Sequence, residues 1–533
     1  MDIVVRGAHV VDGDGGPRRR ADVGVRDGRI AEIADPGGLS AGLSGGRTIE
    51  ADGLVLAPGF IDMHSHSDLQ ILAEPEHLAK VSQGVTLEVL GQDGLSYAPV
   101  DDDALANLRT QIAGWNDDPA GFDWNWRSVA EYLDRLDRGI AVNAAYLVPQ
   151  GTLRMLCVGY DDRPATDAEM DRMRELLARS LDEGAFGMSS GLTYTPGMYA
   201  DTAELAALCA VVGARGGYYS PHHRSYGAGA LEAYREMIEV CRGSGCPLHL
   251  AHATMNFGVN KGRATELLSM LDEALDDGCD ITLDTYPYLP GSTSLHALLP
   301  SWATAGGVEA TLKRLRDPAQ RGRIRHVMEA EGSDGCHGVP VDWETIEING
   351  VRFPGRNGHL VGHSVAESAR RAGKPASELY FDVLLSEQLG SSCLMHVGHE
   401  ENVQAIMRHR VHTAGSDGLL VGARPHPRAW GTFPRYLGHY VRELGVLTLE
   451  ECVAHMTSRP ADRLGLTDRG RVREGFAADL VLFDPGTVAD TATFDEPRRQ
   501  ATGIPYVVVN GVLAVDDGRR TDALPGRALR KPA

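Results

Sequence analysis

Residues 59–66 read GFIDMHSH. The apolar run leading into them, residues 54–61, reads as a buried strand. On an extended chain the alternate residues His64 and His66 point to the same side, and two imidazoles at that spacing can grip one metal ion. A lone histidine is more often a satisfied core residue than a ligand, so the reading depends on what the rest of the chain places beside this pair.

Seven further β-rich runs follow: GVTLEVL (84–90), IAVNAAYLV (140–148), GAFGMSS (184–190), GGYYSPH (216–222), CPLHLAH (246–252), CDITLDTY (279–286) and VHTAGSD (411–417). Amphipathic helical segments such as 167–183 and 202–214 separate them. Eight strands with interposed helices predict an α/β fold, a (β/α)8 TIM-like barrel. The gap from 287 to 410 is too long for one crossover, so its middle, about 300–390 with the Arg- and Glu-rich helical stretch 308–331, is expected to be an inserted subdomain over the barrel mouth. At each end of the chain lie short strands with hairpin turns at Asp27-Gly28 and Asn510-Gly511. Neither end has strands enough for a stable sheet alone, so both should build one small β-sandwich. The expected division is residues 1–53 and 466–533 for the sandwich and 54–465 for the barrel with its insertion.

Composition narrows the function. The 533 residues are 43% hydrophobic and 23% charged, an ordinary globular make-up. A formal charge of -21 argues against nucleic acid or an anionic membrane as partner, since both need a basic face. Eight cysteines without a CxxC pair fit reduced thiols better than a disulfide framework. With no signal-peptide core and no apolar span of membrane length, a cytoplasmic protein is expected, and homo-oligomerisation is compatible with the sequence.

In such a barrel the chemistry sits at the C-terminal ends of the strands. Those ends carry His64, His66, Asp93, His222, His252 and Asp417, six nitrogen and oxygen donors suited to one or two divalent metals. His223 adjoins His222 and His249 precedes His252 by three, spacings that turn their side chains elsewhere, so both are read as structural or supporting. Glu88, within the second strand, competes with Asp93 as a ligand.

Several long motifs in order carry a resemblance: GFIDMHSHSD, GVTLEVLGQDGLSYAP, LAH, DTYPYLPGST, GSDG with RPHPRAWGTFPR, and EGFAADLVLFDP. Over nearly the whole chain the sequence resembles the N-acyl-D-amino-acid deacylase (D-aminoacylase) branch of the amidohydrolase superfamily. The resemblance implies that His64 and His66 hold one metal position and His222 and His252 the other, that Asp417 is the catalytic carboxylate, and that Arg428, Tyr286 and Ser292 contact a small substrate bearing a carboxylate. The family's strand 2 loop reads GNCG, its cysteine a metal ligand; here GQDG puts Asp93 in that place. The family's lysine two residues after the strand 6 histidine is here Thr254. Tyr194, after the fourth strand, is a further substrate-contact candidate.

The expected chemistry is hydrolysis of N-acyl-D-amino acids to a carboxylate and a free D-amino acid. A divalent metal, Zn²⁺ or alternatively Mn²⁺ or Co²⁺, lowers the pKa of water toward about 7 and polarises the carbonyl. Asp417 would take the water's proton and return it to the leaving nitrogen, and the planar fork of Arg428 fits a carboxylate. The alternatives are a D-peptidase, a cyclic-amide hydrolase, or a metal-binding scaffold without catalysis. A lysine-bridged metal pair is disfavoured: the only lysines, Lys80, Lys261, Lys313, Lys374 and Lys531, lie at none of the strand ends.

Overall fold

In the computed structural model, which describes residues 1–40 and 46–532, the apolar run 54–61 divides in two instead of forming one strand. Val55–Pro58 joins a sheet built from the chain ends, and Phe60–Asp62 opens the barrel. The break falls at Pro58-Gly59, where proline has no N–H to give a ladder. Gly59 is required by close approach, because a Cβ there would stand 2.2 Å from Thr86.

Eight strands then pair in sequence order: Phe60–Asp62, Val85–Leu90, Asn143–Pro149, Gly187–Gly191, Tyr218–His222, Leu248–Leu250, Ile281–Thr285 and His412–Ala414. Every pairing between neighbours is parallel. The ring closes between the first and last strands, where Met63 N donates to Ala414 O at 3.2 Å and Asp417 N to His64 O at 2.8 Å. This is the expected (β/α)8 barrel. Its helices are locally specified: Thr166 and Glu169 form a capping box at the start of Asp167–Asp182, and Asp201 caps Thr202–Ala214.

Between the seventh and eighth barrel strands the chain builds a separate four-stranded sheet, in the order Gly291–Ser294, Ser392–Met395, Ile346–Gly350, His363–Ser364. Helices Gly307–Arg316, Pro318–His326, Val365–Ala372 and Ala376–Ser386 accompany it over a core of its own, including Leu295, Leu315, Ile348, Tyr380 and Phe381. Two of its four strands lie outside the expected span of 300–390.

The chain ends share one continuous nine-stranded sheet, running from Arg519–Arg520 through Leu480–Phe483, Val55–Pro58 and Ile3–Val10 to Arg29–Ala34. Residues from both ends, among them Val5, Val23, Leu480 and Val508, form a single apolar cluster in it. The turns Asp27-Gly28 and Asn510-Gly511 all have positive φ, the conformation of two-residue hairpin loops. They meet tip to tip, and a Cβ on Gly511 would stand 2.5 Å from Gly28 Cα. The last residues return to the barrel, Leu529 N donating to Ala144 O at 2.7 Å. All eight cysteines are free. Among the described residues no helix is long and apolar enough to cross a membrane.

Candidate active site

Six side chains converge at the C-terminal end of the barrel. His64 and His66 follow the first strand, Asp93 lies in the loop after the second, His222 ends the fifth, His252 follows the sixth and Asp417 the eighth. His64, His66, Asp93 and Asp417 form one tight group, and Asp93, His222 and His252 a second, with Asp93 common to both. Asp93 stands 3.5 Å from His64 Nε2, 3.6 Å from His66 Nε2, 3.2 Å from His222 Nδ1 and 3.4 Å from His252 Nε2. Asp417 Oδ1 is 3.1 Å from His66 Nε2 and 3.8 Å from His64 Nε2. All six are buried.

The electrostatics suit a cation. Burial alone would raise the pKa of Asp93, but the surrounding imidazoles of His222, His252 and His64 outweigh it and hold the carboxyl well below its usual range. Burial also opposes ionisation of Asp417, where Arg428 and a hydrogen bond from His66 prevail and lower its pKa. Burial disfavours a proton on His66, yet its hydrogen bonds to Asp417 and Asp93 raise that imidazole to about 10. Both ring nitrogens of His64 and one oxygen of Asp93 are buried without a hydrogen-bond partner, a costly state for polar atoms unless a ligand satisfies them. Four imidazoles and two carboxylates fit zinc or a similar divalent ion.

A supporting layer fixes these groups, as second partners of metal ligands do. Asp284, on the seventh barrel strand, accepts from His249 Nε2 at 3.0 Å and from the His252 backbone N–H at 3.0 Å, and lies 3.6 Å from His64 Nδ1. Thr193 Oγ1 is 2.7 Å from His222 Nε2, and Tyr226 OH is 3.0 Å from His252 Nδ1. Trp115 packs against His66 with ring centroids 5.0 Å apart. Sequence reasoning missed Asp284, although it precedes Tyr286 by two on an extended strand and so shares its side.

Glu88 lies apart from the donor cluster. It pairs with His77 at 2.6 Å and accepts from Ser65 Oγ at 2.8 Å and Ser67 Oγ at 3.1 Å. Beside it the fully buried Lys80 donates to Asp62 at 2.6 Å and Ser416 at 2.8 Å, so this lysine's ammonium is already engaged. His223 packs against Tyr234, its ring centroid 3.9 Å away and tilted by 42°.

The donors open into a cavity at the mouth of the barrel. Tyr194, Thr254, Tyr286 and Ser292 line it, and the inserted unit closes it with residues including Leu298, His337 and Met395. Arg428 does not line this cavity. It is fully buried behind Tyr286, whose ring centroid lies 4.4 Å from its guanidinium carbon. There Nη2 pairs with Asp417 at 2.8 Å, while Nε, Nη1 and the neighbouring Ser292 Oγ lack partners.

Comparison with known proteins agrees with this architecture. An amidohydrolase family model matches residues 47–515. The N-acyl-D-glutamate deacylase of Alcaligenes xylosoxydans xylosoxydans is 37% identical over 535 residues, covering 100% of this chain and 97% of that protein. The D-aminoacylase of the same organism is 36% identical over 534 residues, covering 100% and 98%. Among solved structures, an N-acyl-D-glutamate deacylase from Bordetella bronchiseptica, complexed with zinc and a phosphonate mimic of the tetrahedral intermediate, superposes with a TM-score of 0.83 at 34% identity over 99% of both chains. Likeness in sequence and in fold thus runs the full length of the molecule, and the chain belongs to the amidohydrolase family.

Proposed function

We propose that the protein hydrolyses N-acyl-D-amino acids to a carboxylate and a free D-amino acid, with His64, His66, Asp93, His222, His252 and Asp417 as the ligands of one or two divalent ions, zinc foremost. One observation supports this above the rest: the histidine–carboxylate cluster and a corner of unpaired anion-seeking donors adjoin across Asp417. Arg428 Nε and Nη1 and Ser292 Oγ are buried without partners, which favours a bound anion. A substrate carboxylate placed against Ser292 and Tyr286, the cavity residues in front of Arg428, would leave its amide beside the donor cluster.

A divalent ion held there supplies Lewis acidity, polarising the amide carbonyl and acidifying a water. The chain's own groups account for the remaining steps. Asp417 is held ionised beside Arg428 and His66, so its carboxylate can accept the water's proton. It can then deliver that proton to the departing nitrogen, which leaves poorly as an anion. Arg428 holds Asp417 through Nη2 from behind Tyr286. Tyr194, hydrogen-bonded to Thr293 at 2.9 Å, and Thr254 complete the walls around the amide.

The D configuration rests on the relatives, whose names specify it. Chiral chromatography of N-acetyl-D-methionine and N-acetyl-L-methionine digests tests it, with cleavage of the D form expected. Equal rates or an L preference would remove the stereochemical claim, and no hydrolysis of any N-acyl amino acid would remove the reading altogether.

A further inference from the structure

Of the chain's five lysines, Lys80 alone is buried, and its side chain is fully removed from solvent. A buried charge is costly unless it is paired and hydrogen-bonded. Lys80 Nζ donates to Asp62 Oδ2 at 2.6 Å and to Ser416 Oγ at 2.8 Å, with Glu88 Oε2 at 3.7 Å. None of the steps assigned to the donor cluster uses this cation.

The ammonium lies directly under the turn that carries Asp417. A Cβ on Gly418 would stand 3.1 Å from Lys80 Nζ, 2.9 Å from Ser416 Oγ and 3.2 Å from the Cα of Ala429, the residue after Arg428. The hydrogen bonds there run in one direction, because an ammonium only donates and a hydroxyl has one proton and two acceptor sites. Ser416 Oγ accepts from Lys80 and from Gly418 N at 3.1 Å, and gives its proton to Asp62 Oδ2 at 2.6 Å. Asp62 is filled in turn, Oδ2 by these two side chains and Oδ1 by the N–H groups of Ser416 at 2.8 Å and His64 at 3.2 Å. Gly418 O accepts from His66 N at 3.2 Å. The residues on either side of Asp417 are thus fixed through one ammonium.

Asp417 depends on this arrangement more than the histidines do. The eighth barrel strand ends at Ala414, so the backbone of Asp417 is aimed by the turn and not by a strand ladder. Its φ is 49, a conformation that persists only where the surroundings over-determine it. His64 and His66 have independent support, from Asp284 at 3.6 Å and from the Trp115 ring at 5.0 Å. An offset of about 1 Å at a reacting group costs on the order of a hundredfold in rate, so a loosened turn shows in kcat before it shows in binding.

Resting on the proposed deacylase reading, we infer that Lys80 is a positioning residue: through Ser416 and Asp62, its ammonium aims the Asp417 carboxylate for proton transfer.

The test uses Lys80→Met, which keeps the length of the side chain and removes its charge, and Ser416→Ala, which removes only the hydroxyl and serves where Lys80→Met does not fold. With zinc saturating, kcat for N-acetyl-D-methionine should fall at least about tenfold in each, with KM within about threefold of wild type because Tyr286, Ser292 and the cavity walls are untouched. In the cobalt-loaded proteins the visible absorption should shift as the Asp417 ligand moves. Glu88→Gln, on the other side of the ammonium, is the control for lost stability alone and should keep both kcat and the cobalt spectrum. Wild-type kcat, or a wild-type cobalt spectrum, in the folded variants would overturn the inference, and so would an equal loss of kcat in Glu88→Gln. If zinc-loaded wild type cleaves no N-acyl amino acid, the deacylase reading falls and the cobalt spectra alone decide whether Lys80 aims Asp417.

Discussion

Asp93→Ala tests the metal centre at its most connected point. Asp93 is the only residue common to both donor groups, and its oxygens stand 3.2 to 3.6 Å from nitrogens of His222, His252, His64 and His66. Loss of even a partner that merely orients a metal ligand costs about 10- to 100-fold in affinity. Because Asp93 serves both groups, the two losses compound to about 10²- to 10⁴-fold, or roughly 3–6 kcal/mol at 1.4 kcal/mol per decade. Glu88→Ala supplies the control, since Glu88 is engaged with His77, Ser65 and Ser67 and touches none of the donors. Both variants are dialysed against graded zinc and a competing chelator, and bound metal and activity are measured on the same samples. Asp93→Ala should lose metal and activity together, whereas Glu88→Ala should keep its metal and lose stability. The hard carboxylate in place of a soft thiolate should also let Mn²⁺ or Co²⁺ restore chelated wild type. A full metal complement in Asp93→Ala alongside a metal-free Glu88→Ala would refute the assignment and transfer the ligand role to Glu88.

Three further outcomes follow from the same geometry. Asp417→Asn should lower kcat by about a hundredfold or more through lost proton transfer, with KM changed far less; a near wild-type kcat removes it from the mechanism. Arg428→Ala should raise KM for carboxylate substrates but not for an N-acyl amine lacking the acid, and because Arg428 helps lower the pKa of Asp417, the acid limb of the kcat profile should move to higher pH. Glu88, whose burial penalty is outweighed by His77 and Lys80, has its pKa lowered from 4.5 to about 2. That is about 3 kcal/mol of stability, fully present above pH 4.5 and lost as pH falls toward 2, so Glu88→Gln should lower the urea midpoint at pH 7 and flatten its dependence across that window.

The barrel was legible because buried parallel strands leave continuous apolar runs, and five of the eight lead into a residue that can carry chemistry, at His64, Asp93, His222, His252 and Asp417. The alternation at His64 and His66 then marked the mouth. What stayed hidden depends on depth and partner rather than on period. Residues 54–61 look like one strand, and only the pairing of Val55–Pro58 with Leu480–Phe483, more than 400 residues away, shows that the run serves two sheets. Arg428 read as a direct contact for a carboxylate, yet spacing does not reveal that Tyr286 lies over it. Asp284 drew no notice because its partners, His64, His249 and His252, come from two other strands.

Local backbone preference would not have placed the donors either. Asp93, His252 and Asp417 have φ of 54, 31 and 49, a left-handed region that disfavours residues with a side chain. His252 and Asp417 are held there by distant parts of the chain. His252 is tied through its N–H to Asp284, and Asp417 through its N–H to His64 O at 2.8 Å. Asp62 in turn accepts from the backbone N–H of His64 at 3.2 Å and of Ser416 at 2.8 Å, with Lys80 balancing its charge. The first and eighth strands are therefore joined directly beneath His64 and Asp417. Closing the ring and aiming these two donors are one structural event, and the strain at the donors is sustained by the closure of the whole barrel.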